Sequence, residues 1–158
     1  MNEVKSELAV AGNNYRVGKL NCIAQFHVAR RLGPMLVVAG ISVEMLRKGW
    51  KMELDDMVAM AGPVMQFLAK MSDEDVDYCM YNCLAVVQRQ QQGAWAPVIA
   101  SVEAKTFMFE DIDMPSMVRL VLEVLKANLG NFLEELGEEL TSPSSSNASQ
   151  PQAGAGGQ

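Results

Sequence analysis

Residues 72–93, SDEDVDYCMYNCLAVVQRQQQG, decide how the whole chain is read. Ser72 followed by Asp73, Glu74 and Asp75 resembles a capping box, with acids where the helix dipole favours them. Val76, Cys79, Met80, Cys83, Leu84 and Val87 then recur at i, i+3, i+4, i+7, i+8 and i+11, one face of a helix. The pattern fades through Gln88–Gln92 and stops at Gly93, a residue suited to a left-handed helix cap. The spacing therefore predicts a single amphipathic helix across the stretch.

Helical patterns extend upstream. Met57, Met60/Ala61, Val64, Leu68 and Met71 form a stripe on a helix starting at Asp55 or Asp56, with Pro63 placed to kink it or to begin a new one. Asn21 can cap a helix carrying Cys22, Phe26, Ala29 and Leu32, and Gly33-Pro34 should end it. A further helix is expected from about Met35 to Lys48, stopping at Gly49. Only residues 7–18, ELAVAGNNYRVG, alternate like a hairpin, with its turn at Gly12-Asn13-Asn14.

Downstream, residues 94–110 contain one strand-like run, Thr106–Phe109. Asp113 can then cap a last helix with Pro115 in its first turn, running to about Leu136. Val118, Val121, Leu122, Leu125, Leu129, Phe132, Leu133 and Leu136 line one face, and Met117, Leu120 and Val124 widen it, as in a central helix or one that also serves an interface. From Thr141 the chain turns to Ser, Gly, Pro and Gln without large apolar residues, the composition of a disordered tail. The expected fold is mainly α: residues 1–140 form one compact domain of about five helices with a small N-terminal β-hairpin. A short strand near 106–109 is available to join the hairpin, and residues 141–158 form the tail.

A chain of 158 residues with 49% apolar residues can bury a core. Twelve Met against 6% aromatic residues suit an adaptable surface or an irregular helical core. The net charge of −6 is divided: residues 1–51 hold eight Lys/Arg and three acids, +5, whereas residues 52–158 carry −11. That balance argues against a generic nucleic-acid binder, although Arg16, Lys19, Arg30 and Arg31 form a local basic set. It also leaves two expectations open: salt-sensitive head-to-tail self-association into a homo-oligomer, or a monomer on whose surface the two signs intermix. Three Cys and no secretory signal pattern indicate reduced thiols in a cytosol. The longest apolar stretch, Met35–Val43, falls far short of the roughly 18–20 residues that cross a bilayer, so no membrane partner is expected.

No catalytic constellation emerges. Cys79 and Cys83 sit one helical turn apart inside an apolar stripe, so burial as small hydrophobes explains them better than metal ligation. His27, the single histidine, lies beside Arg30 and Arg31 with no nucleophile motif nearby. Glu110, Asp111 and Asp113 lack the calcium-loop pattern and suit helix capping. No phosphate-binding glycine motif is present, and neither a cofactor nor a metal is expected. Trp95, in the loop-like Gly93–Pro97, is a candidate anchor for a protein partner or a lid on the core. The candidate partner-binding residues are Arg30, Arg31, Trp95, Leu120 and Val124.

YRVGKLNCIAQFHVARRLGP at 15–34, MSDEDVDYCMYNCL at 71–84, FEDIDMP at 109–115 and NLGNFL at 128–133 resemble, in order and spacing, the tail assembly chaperones of long-tailed bacteriophages. The resemblance implies a small non-enzymatic helical protein of the host cytoplasm. Its implied partners are the tape-measure and tail-tube proteins during tail assembly, and it is implied to be absent from the mature virion. The family offers no motif-defined functional residues to carry over. The competing expectations are a structural component of the virion and a helical nucleic-acid-binding regulator.

Overall fold

The computed structural model describes residues 3–38 and 54–141. The chain runs β1 (Val4–Val10), β2 (Asn13–Gly18), α1 (Cys22–Val38), α2 (Leu54–Lys70), α3 (Asp73–Leu84), β3 (Val87–Gln91), β4 (Ala94–Pro97), β5 (Ile99–Ser101), β6 (Thr106–Phe107) and α4 (Met114–Thr141). β1 to β4 form an antiparallel sheet in that order, and β5 pairs with β6 in a separate two-stranded sheet. The fold is thus mixed α/β, with four helices and six strands among the described residues. This corrects the mainly α expectation of about five helices.

The correction turns on 72–93. Ser72 does cap α3, accepting the Asp75 N–H at 3.2 Å, and Cys79, Cys83 and Leu84 do face the core. The helix ends at Leu84, however, and Val87–Gln91 pairs with β2 through Val17↔Val87, Arg16↔Gln88 and Tyr15↔Arg89. Gly93 does not end a helix. Gln92 and Gly93 have φ of 47° and 84°, the doubly positive loop of a two-residue hairpin closed by Gln91↔Ala94. The strand expected near 106–109 forms at Thr106–Phe107 and joins Ile99–Ser101 rather than the N-terminal hairpin, whose β2 pairs with β3.

The N-terminal hairpin forms as expected, with its turn at Ala11-Gly12 (φ 48° and 79°) so that Asn13 and Asn14 lie within β2. Asn21 caps α1 by accepting the Ala24 N–H at 2.8 Å, and Asp113 caps α4 by accepting the Ser116 N–H at 2.9 Å. α1 passes through Gly33-Pro34 instead of stopping there. Pro34 is exposed, and Met35 continues the buried ridge of Ala24, Val28 and Leu32, so tertiary packing outweighs the lost amide. The rest of the helix expected over Met35–Lys48 and the tail beyond Thr141 lie outside the described residues.

The core lies between the inner face of the sheet and α1, α3 and α4. Asn128, buried on α4, ties these layers together. Its Oδ1 accepts the Leu20 N–H at 2.8 Å, and its Nδ2 donates to the carbonyls of Gly18 (3.1 Å) and Val124 (2.9 Å). At the sheet's edge, the Ser6 hydroxyl donates to the Glu123 carboxylate at 3.1 Å. Arg89 is buried on β3, donates to Asp111 at 2.7 Å and stacks over Phe109, which fixes the approach to α4.

Candidate partner-binding surfaces

α1 has two apolar sides. Ala24, Val28, Leu32 and Met35 pack inward, whereas Ile23 and Phe26 are each 63% exposed. Arg30, also exposed, follows Phe26 by four residues and continues the same ridge. The ridge is fixed from beneath. His27 meets Phe26 and Tyr78 edge-on, and Arg31 stacks over Tyr78 while donating to Asp75 at 2.6 Å. Arg31 therefore staples α1 to α3. That pairing holds the Asp75 carboxyl below the usual carboxylate range, with help from the Ser72 hydroxyl.

The outer face of the four-stranded sheet is the second surface. The pairings put Glu7, Arg16, Gln88 and Pro97 in one row and Ala9, Asn14, Gln90 and Trp95 in the next. Arg16 donates to Gln88 at 2.6 Å and lies 4.7 Å from the Trp95 ring centre. Asn14 donates to Gln90 at 3.1 Å. Trp95 is half-buried beneath Arg16, an aromatic–guanidinium pair of the kind found at interface hot spots.

The five sequence candidates thus part company. Arg30 and Trp95 lie on two different surfaces, Arg31 is engaged within the fold, and Leu120 and Val124 are fully buried. Ile23 and Phe26 escaped the sequence reading because Phe26 fitted the stripe expected to face inward. The overlooked signal was the second ridge, Ile23–Phe26–Arg30, offset around the helix from the first.

Cys79 and Cys83 are buried on α3, and burial pushes their thiols up to about 11 and about 12. Few thiolates exist there near neutrality, which leaves both poor nucleophiles and poor metal ligands. Among the described residues no group of three or more His, Cys, Asp or Glu side chains could hold a metal ion. Nor is any described helix long and apolar enough to cross a membrane.

With these surfaces defined, comparison by family supplies the context. Residues 11–141 match the family model described as phage tail assembly chaperone protein, TAC. The chain belongs to the phage tail assembly chaperone family. No curated protein and no solved structure matches it. The region by which this chaperone is recognised opens at the first hairpin turn and closes at the end of α4, so it includes both the α1 ridge and the Arg16–Trp95 pair.

Proposed function

We propose that this chaperone works without catalysis by binding the tape-measure and tail-tube proteins in the host cytoplasm while the tail is built, and that it is left out of the finished virion. The family match over residues 11–141 carries the reading. Two surfaces of different chemistry support it: the exposed apolar ridge with Arg30 on the helical layer, and the half-buried Arg16–Trp95 pair on the sheet layer. Two surfaces suit two clients. Leu120 and Val124 serve binding indirectly, by holding the core on which both surfaces rest. The split of +5 and −11 between the two parts of the chain supports self-association as well.

Co-expression with the tape-measure and tail-tube proteins of the same phage tests this. Size-exclusion chromatography with light scattering, at low and high salt, should show soluble client complexes and any self-association. Mass spectrometry of purified virions should not find the chain. Stoichiometric recovery from virions would make it a structural tail component instead.

A further inference from the structure

We infer that the outer face of α1 docks an amphipathic helix of a client protein, with Ile23 and Phe26 packing its apolar stripe and Arg30 pairing with an acidic residue on its flank. The inference rests on the client-binding function proposed above. Two large apolar side chains, each 63% exposed and three residues apart, stand on one ridge of α1. An exposed aromatic beside an exposed arginine is the composition of an interface hot spot.

The ridge is also ready-made. Ala24, Val28 and Leu32 anchor the opposite side in the core, and Arg31 and His27 clamp the helix to Asp75 and Tyr78. Little order remains to be imposed on binding, which favours affinity.

The chemistry selects the occupant. α1 satisfies its own backbone, so an extended strand laid on it would leave strand amides and carbonyls unpaired against apolar side chains. A helix brings no such groups, and side chains spaced three and four residues apart interdigitate with another helix.

Charge selects further. α1 contains Arg30 and Arg31 but no acid, Lys19 precedes it, and its dipole is positive at the same N-terminal end. Asp75, which faces it from α3, is already engaged by Arg31. A second α1 would therefore bring another Arg30 and no acid to meet it. A foreign helix with Asp or Glu beside its apolar stripe is complementary. A phosphate backbone would engage Arg30 but leave Ile23 and Phe26 facing solvent.

Full-length chain is co-purified with the tape-measure and tail-tube proteins as wild type, Ile23→Ser, Phe26→Glu, Arg30→Glu and, as a control on the exposed β5–β6 loop, Glu103→Lys. In parallel, a benzophenone amino acid at position 26 maps what lies against the ridge. The expected result is that wild type and Glu103→Lys hold a client equally, while the Phe26 and Arg30 variants, with unchanged melting temperatures, hold it about tenfold more weakly. Crosslinks should fall on a helical client segment with a flanking acid. Should Phe26→Glu fail to fold, Ile23→Ser and the crosslinks decide. Equal binding by all variants overturns the α1 assignment and leaves the chaperone function standing. Crosslinks to an extended segment or to nucleic acid overturn it too. A wild-type chain that holds neither client overturns both the function and the ridge.

Discussion

α1 and α4 are both rich in apolar residues, yet the fold buries them to different extents. On α4, Leu120 and Val124 are fully buried, Val121 and Leu129 nearly so, and Asn128 anchors the sheet from the same side. On α1, one stripe is buried and the other, Ile23 and Phe26, faces water. Apolar content alone therefore does not assign a helix to structure or to recognition. The decision lies in which neighbours each face meets. α4 packs against β1, β2, α1 and α3 and exposes Met114 and Val118 in its first turns, whereas α1 exposes Ile23 and Phe26 on a ridge backed by the core.

Truncation should widen this contrast. Leu120→Ala opens a cavity in a closed core and should cost about 3 kcal/mol, lowering the melting temperature by roughly 10 °C. Phe26→Ala should change stability by no more than about 0.5 kcal/mol. Thermal melts followed by circular dichroism check both, and equal losses would abolish the distinction between the helices. Asn128→Ala should follow, at about 2 kcal/mol, since it strands the buried Leu20 amide and Gly18 carbonyl. A denaturant titration showing no change would mean that water replaces the side chain and that α4 does not depend on this tie.

The smallest effect expected is that of acid, which acts on both helices. Arg31 holds Asp75 low at the α1–α3 staple. Arg89 holds Asp111 low before α4, and Ser116 does the same for Asp113 at its cap. Folded-state pKa values depressed in this way contribute stability that is complete above the unfolded value of about 4 and lost as pH falls through the folded values. Melting temperature should be flat near neutrality and fall below about pH 4, with a shallower fall in Asp111→Asn. A rise on acidification would contradict the assigned pairings.

How much of this was legible depended on range. The caps at Asn21, Ser72 and Asp113 were readable because each involves residues three apart. The first hairpin was readable too, with its turn displaced onto Ala11-Gly12. The second was not. A glycine at positive φ serves a helix stop and a hairpin loop equally, and Val87 fits a period of 3.6 as well as a period of 2. What settles β3 is its partner, β2, on the far side of three described helices. Likewise Pro34 obeyed the local rule for a stop until the burial of Met35 outweighed it. At the candidate site, residue type alone drew attention to Arg30 and Trp95. Which ridge of α1 faces water depends on packing with distant elements, and that kept Ile23 and Phe26 hidden.

The hydrogen bonds of Asn128 also set a clock on synthesis. Gly18 and its tie on α4 are 110 residues apart. At about 5–20 residues per second, the first hairpin leaves the ribosome roughly 5–20 s before the residue that fastens it. A lone hairpin is marginal in water, and β1 and β2 wait first for β3, at Val87–Gln91, and then for α4 beneath them. The nascent chain must therefore carry the hairpin's inner face without its tie to Asn128 until α4 is made. Hydrogen-exchange labelling of stalled chains would show the amide of Val17 protected only once residue 128 has emerged.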